Sequence, residues 1–268
     1  MSLAFPEIDP VILKIYGPLQ VRWYGVAYVV GIMLGFWYVK FLNNRQELVR
    51  GKAFFTTKVL DEILLYAVVG IVVGGRVGYV LAYDIDKLLL DPSFIFKTWQ
   101  GGMSFHGGLL GVIISLAYVC ARNKLPWRKV ADYISGGVPF GIFFGRIANF
   151  INGELYGRVA DVWWAVRFPA GGYLPRHPSQ LYEAFGEGLL LGVILIYLQL
   201  RSNLWRFQGS IFGVFLSGYG VVRLIVEQFR EPNYGLDSVL FGLTMGQVLS
   251  LPMVIVGIGL ILFPKKAP

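Results

Sequence analysis

Residues 245–263 read Met-Gly-Gln-Val-Leu-Ser-Leu-Pro-Met-Val-Ile-Val-Gly-Ile-Gly-Leu-Ile-Leu-Phe, a run without one charged side chain. A helix of about 20 apolar residues crosses lipid hydrocarbon, because all its backbone hydrogen bonds close within the segment. Working outward from this run, six more stretches of the same kind occupy roughly 21–42, 60–83, 103–121, 130–151, 181–200 and 210–226. The composition agrees. Of 268 residues, 56% are hydrophobic and 15% charged, where a soluble domain carries about 25% charge. Mean hydropathy is +0.60. Disorder is excluded, and an ordinary water-soluble fold is disfavoured. The 16% aromatic content suits a protein that needs anchors at a lipid–water interface.

These patterns predict an all-α polytopic membrane protein of about seven transmembrane helices, one integral-membrane domain over 1–268. Residues 1–20, interrupted by Pro6, Pro10 and Pro18, read as an interfacial arm. Residues 157–177 hold Trp163, Trp164 and Tyr173 among Arg158, Arg167 and Arg176, and read as a small outer head with room for short strands. The first residues, Met1 to Glu7, lack the basic start of a cleaved signal peptide, so the first span is expected to remain. No convincing internal repeat is visible, which weakens a transporter built on inverted repeats.

The net charge of +8 would favour nucleic acid in a soluble protein; here it reports topology first. Thirteen Lys and Arg follow the odd-numbered spans, eight lie on the other side, and Arg76, Arg146 and Arg223 lie within spans. That bias predicts an outer N-terminus and a cytoplasmic C-terminus. The lone Cys120 excludes an intrachain disulfide and a Cys-rich metal site, and reads as a buried small hydrophobe.

Charge inside a membrane is costly, about 2.5–3.5 kcal/mol per residue on insertion scales, and is read first as functional. The plainer alternative is a snorkelling anchor. Tyr219, Arg223 and Glu227 follow one another at four-residue spacing and share a helix face. Either Arg223 and Glu227 tie helices together, or Glu227 holds Arg223 towards an anionic substrate. Arg146, Asn149, Asn152, Gly153 and Glu154 crowd the end of the fourth span, a pattern that belongs in a bundle interior or wet cavity. His106, within Gly101-Gly102-Met103-Ser104-Phe105-His106-Gly107-Gly108, reads equally as a general base or as a neutral residue fixing the loop. His177 beside Pro178 reads as structural. Arg76 lies among Gly70, Gly74 and Gly78, a small-residue ladder for close packing. It serves a site or the packing. Tyr24 opens the first span and also fits an aromatic belt. Together these groups suit a cavity towards the outer leaflet that takes an anionic lipid, each arginine able to grip phosphate with two donors. A transporter for an anionic solute or lipid is the alternative in another class, and a structural scaffold a third.

The stretch Gly145-Arg146-Ile147-Ala148-Asn149-Phe150-Ile151-Asn152-Gly153-Glu154-Leu155-Tyr156-Gly157 resembles the signature of the phosphatidylglycerol–prolipoprotein diacylglyceryl transferase family. Ser104–Gly108, Gly74–Tyr79, Arg176–Glu183 and Gly218-Tyr219-Gly220 with Arg223 and Glu227 match as well, and only 159–174 carries nothing over. The resemblance implies a bacterial inner-membrane enzyme. It would move diacylglyceryl from phosphatidylglycerol to the lipobox cysteine of a prolipoprotein signal peptide, form a thioether and release glycerol 1-phosphate. The implied partners are that lipid, that peptide and membrane lipids, without nucleic acid, cofactor or metal. Tyr24, Arg146, Asn149, Gly157 and Arg223 are implied as important. We expect Arg146 and Arg223 to stabilise the leaving phosphate, Glu154 and Glu227 to orient those arginines, and Tyr24, Asn149, Tyr219, Gly157 and Arg76 to bind lipid. The proton acceptor stays open between His106, a carboxylate and no dedicated base.

Overall fold

A computed structural model describes residues 2–6, 8–16, 19–50, 53–231 and 243–266. Residues 1, 7, 17 and 18 of the expected arm, and Lys52 of the charge count, lie outside them. Helices dominate: α1 (Trp23–Arg50), α2 (Thr57–Tyr83), α3 (Phe105–Arg122), α4 (Trp127–Ile134), α5 (Val138–Ile151), α6 (Ser179–Arg201), α7 (Ser210–Val226) and α8 (Met245–Leu262). α1, α2, α6 and α8 are long and apolar enough to cross a membrane. α4 and α5 make a fifth only if taken as one broken span, because they meet at 47°. The fourth predicted span is therefore not one straight helix: Gly136 and Gly137 interrupt it, and Pro139 restarts it in the first turn of α5. α3 and α7 are apolar but shorter.

The chain divides into two compact units, one of residues 43–130 and one of residues 1–42 with 131–268. In the first, α2 and α3 meet along glycines. A methyl group on Gly78 would stand 2.6 Å from Gly107 Cα, so the backbones touch where any side chain would part them. Each helix starts on a hydroxyl cap, Thr56 for α2 and Ser104 for α3. The link between them is held by Arg76, which is 3% exposed. Its guanidinium donates to the carbonyls of Phe94 (2.6 Å), Ile95 (3.0 Å), Lys97 (3.2 Å), Gly101 (2.6 Å) and Gly102 (3.2 Å). In the same link Lys97 donates to Asp91 at 2.6 Å, and that bond, with Ser93, brings the Asp91 carboxyl down to about 2.

In the second unit, α7 and α8 run against each other through Gly213 and Gly257. Asp132, without exposed surface, caps α7 by accepting from the backbone N–H of Gly209 (2.8 Å) and Phe212 (3.0 Å). Gln199 links α6 to this end, donating to the Asp132 carbonyl at 2.6 Å and accepting from the Tyr38 hydroxyl at 2.6 Å.

The predicted arm is largely β-structure. β2 (Val11–Tyr16) pairs antiparallel with β3 (Leu19–Arg22), leaving Leu13, Ile15 and Tyr16 exposed. β1 (Leu3–Ala4) pairs in parallel with β4 (Val166–Arg167). Phe168, fully buried, gathers Phe5, Phe150 and Tyr156 about itself, with ring centroids 5.3 to 5.9 Å away. This aromatic knot ties the N-terminal strand to the end of α5. The chain leaves α5 through Gly153 at φ +66° and Leu155 at φ +56°, and the left-handed backbone turns it sharply.

Candidate functional site

Two acidic residues from α6 form the floor of the site. Pro178 precedes the helix, so Ser179 starts it and Glu183 and Glu187, four apart, share one face. Glu187 lies in a π-helical turn, Ala184–Leu190, a local widening often found at functional sites. Both carboxylates are wholly buried.

Three arginines close over them. One oxygen of Glu183 accepts from Arg223 and, at 2.6 Å, from Arg230, while the other faces Arg146 at 3.1 Å. Glu187 faces Arg146 at 3.4 Å and Arg223 at 4.0 Å. Glu227 pairs with Arg223 at 3.0 Å and stands 3.7 Å from Arg230. Its other oxygen accepts from the Thr244 hydroxyl at 2.9 Å, which joins α7 to the capping box that opens α8. Buried ions on this scale persist only when mutually paired, since an isolated one costs several kcal/mol. The exposure is graded. Glu183 and Glu187 have none and the Glu227 side chain keeps 9%, whereas the side chains of Arg146, Arg223 and Arg230 keep 19%, 14% and 10%. The accessible surface of the cluster is therefore mainly cationic, with the counter-charge of Glu183 and Glu187 beneath.

Polar groups continue from it. Asn149, on the face of Arg146, donates to Glu154 at 2.8 Å, and Asn152 does so at 3.4 Å. Gln180 donates to the Glu154 carbonyl at 2.5 Å and Ser179 to that of Leu155 at 3.0 Å, so the start of α6 holds the turn after α5. Tyr24 and Tyr28, in the first turns of α1, bring their hydroxyls to 3.3 Å, and Tyr28 feels the charges of Arg146 and Glu154. The Tyr219 hydroxyl lies in the field of Arg146, Glu187 and Arg223. Gly157 donates its N–H to the His177 carbonyl at 2.8 Å; a Cβ there would stand 2.8 Å from the same carbonyl, so only glycine fits. His177 meets the Tyr182 hydroxyl at 3.0 Å, and burial pushes its imidazole below the ordinary range.

Of the residues singled out by sequence, Arg146, Arg223, Glu227 and Tyr219 come together in this unit, with Asn149 and Glu154 adjoining. One role differs. Glu154 does not pair with Arg146: its carboxylate takes two amides, and Arg146 is oriented by Glu183 and Glu187. Glu227 does pair with Arg223. Three cluster members, Glu183, Glu187 and Arg230, are not among the site residues that the sequence singles out, although Glu183 ends a segment that carries the resemblance. A signal is available for the acids, which fall four apart inside a predicted span. Arg230, one of the eight basic residues on the outer side of the charge count, is buried. Arg76 and His106 belong to the other unit. Arg76 donates to five backbone carbonyls, which holds the loop between α2 and α3. His106 lies in the first turn of α3.

A family model described as prolipoprotein diacylglyceryl transferase matches residues 10–263. A phosphatidylglycerol–prolipoprotein diacylglyceryl transferase of Rhizobium meliloti (strain 1021) is 50% identical, over 99% of this chain and 95% of its own. Proteins of the same name are 47% identical in Rhodospirillum rubrum, over 99% of this chain and 96% of theirs, and 48% identical in Vibrio cholerae serotype O1 (strain M66-2), over 98% and 94%. A match that runs through the arginine-bearing helices and spans nearly every residue leaves one conclusion, that this chain belongs to the prolipoprotein diacylglyceryl transferase family.

Proposed function

We propose that the protein transfers the diacylglyceryl group of phosphatidylglycerol to the lipobox cysteine of a prolipoprotein, in the bacterial inner membrane. The sulfur attacks the glycerol carbon that carries the phosphate. A carbon–sulfur bond forms, the carbon–oxygen bond to phosphate breaks, and glycerol 1-phosphate departs with the electron pair. The observation that carries this reading is the cationic surface of Arg146, Arg223 and Arg230 over wholly buried Glu183 and Glu187. Arginines fixed from behind need little reorganisation when charge grows on a leaving phosphate, which is where electrostatic catalysis is strongest. They also favour the ionised thiol of the incoming cysteine.

In this reading Arg146 and Arg223 touch the phosphate. Asn149, Tyr24 and Tyr219 line its glycerol end, with Glu154 holding Asn149. Gly157 keeps the adjoining turn closed, and Arg76 acts through the loop it organises. His106 stays a candidate for the thiol proton. The chain works as one integral-membrane domain of seven spans, the broken helix pair and the two shorter apolar helices each counted as one. The arm over 1–20 and the head over 157–177 lie on the outer side, with the C-terminus in the cytoplasm; the distribution of Lys and Arg supports that orientation. The test is product formation. Purified protein with phosphatidylglycerol and a lipobox peptide should yield a diacylglyceryl-peptide by mass and free glycerol phosphate. An unchanged peptide mass with every acidic lipid would refute the reading.

A further inference from the structure

With all its side chains ionised, the cluster is electrically balanced before any substrate arrives. Among the described residues it joins Arg146, Arg223 and Arg230 to Glu183, Glu187 and Glu227. Three cations meet three anions. A phosphodiester carries one negative charge, so an anion laid on this surface leaves the site with an excess negative charge in a low-dielectric setting. Such an excess is removed most cheaply by a proton on the worst-compensated carboxylate.

The three acids differ in compensation. Glu183 is met by three arginines, two on one oxygen. Glu227 has Arg223 at 3.0 Å and the Thr244 hydroxyl at 2.9 Å. One oxygen of each acid lacks a hydrogen-bond partner among the described residues, so the contacts decide: Glu187 is fully buried and has only long ones, 3.4 Å to Arg146 and 4.0 Å to Arg223. The charged and titratable groups around it are few. Arg146 faces it from α5, Arg223 and Tyr219 from α7, and Glu183 from its own helix. The two cations that compensate Glu187 are the two that turn to the phosphate. Binding therefore withdraws its partners, and the balance shifts towards the neutral acid.

We infer that Glu187 takes up a proton when phosphatidylglycerol binds, so that lipid binding and protonation of this buried carboxylate are coupled. The inference rests on the proposed anion site and adds to it. Glu187 is here a positioning residue: ionised, it holds Arg146 and Arg223 ready; protonated, it releases their charge to the substrate. The step adds one proton from solvent to a carboxylate oxygen and changes no other bond. On release of the product phosphate the proton returns.

The test uses the full chain in detergent and phosphatidylglycerol in mixed micelles, with zwitterionic phosphatidylcholine, whose net charge is zero, as the control. Calorimetry in two buffers of different ionisation heat counts protons. The wild-type chain should take up close to one proton per bound lipid on the alkaline side, with Kd weakening about tenfold per pH unit there. E187Q, already neutral, should bind at least as tightly at high pH, take up no proton and show a flat Kd. E187D should keep the uptake, and it supplies the comparison if E187Q accumulates poorly. Binding by the wild-type chain without proton uptake overturns this inference and leaves the anion site standing. Uptake retained in E187Q overturns it too, by assigning the proton elsewhere. No binding of phosphatidylglycerol by the wild-type chain overturns both.

Discussion

The Nη1 of Arg146 stands 3.1 Å from Oε2 of Glu183, a carboxylate with no exposed surface, while the arginine keeps 19% of its own. The acid that fixes the cation is therefore sealed from solvent and cannot itself meet a substrate. Since the opposite oxygen of Glu183 takes Arg223 and Arg230, one buried carboxylate sets the position of all three arginines.

Glu183 is accordingly the residue whose loss should damage the fold itself. Glu183→Ala leaves three partly buried guanidinium groups with only Glu187 and Glu227 to compensate them, and removing one partner of a buried pair costs about 3–5 kcal/mol. The variant should show a clearly lower Tm in detergent and little transfer. Glu183→Gln, which keeps the shape and loses the charge, should fall between. Wild-type Tm in Glu183→Ala would mean that the arginines are held by something else.

Arg223 and Arg230 share the same oxygen of Glu183 but should separate kinetically. Arg223 also reaches Glu187, stands closer to Glu227 (3.0 Å against 3.7 Å) and is the more exposed of the two. Arg223→Lys replaces a planar fork by a point charge, and kcat/KM for peptide modification should fall by about a hundredfold, the scale of losing one preorganised donor. Arg223→Ala should leave none measurable while the protein remains folded. Arg230→Lys should cost roughly tenfold, acting through Glu183. Near wild-type turnover by Arg223→Ala would disprove its part in stabilising the leaving phosphate.

These partners mark the limit of the sequence reading. The pair Arg223–Glu227 was legible because it repeats at four residues along one helix. Arg223–Glu183 and Arg230–Glu183 bridge 40 and 47 residues, and no local spacing announces them. The same distinction holds for the fold. The helix Ser210–Val226 coincides with its predicted span, since hydropathy alone bounds it. The pairing of Leu3 with Val166 joins segments that share no local pattern, so the arm was foreseen without its strands. The break before α5 was written in Gly136-Gly137-Val138-Pro139, and an apolar run concealed it.

Arg76 offers a separation of loop-building from lipid binding. Its five bonds to backbone carbonyls mean that Arg76→Ala strands several buried acceptors, each worth about 1–3 kcal/mol. The expected result is greater proteolysis within 91–102 and a lower Tm. Loss of phosphatidylglycerol affinity with Tm and proteolysis unchanged would instead favour a direct contact with lipid.

His177 gives the protein an acid-sensitive joint outside the helices. Burial disfavours its charged form, and its Nδ1 meets the Tyr182 hydroxyl, which accepts from Trp164 Nε1 at 2.6 Å. The indole is a donor only, so a neutral imidazole that accepts the tyrosine proton completes the chain Trp164, Tyr182, His177. The folded imidazole therefore titrates below the unfolded one, whose ordinary value is about 6.5. Its contribution to stability is complete above that value. As pH falls through about 6.5 the unfolded chain gains a proton that the folded chain refuses, and stability declines until the folded group protonates as well. Tm of the wild-type chain should thus drop between pH 7 and pH 5 by more than that of His177→Asn, which cannot protonate there. Parallel curves for the two proteins across that window would show that His177 stays solvated and takes no part in holding the segment 157–177 to α6.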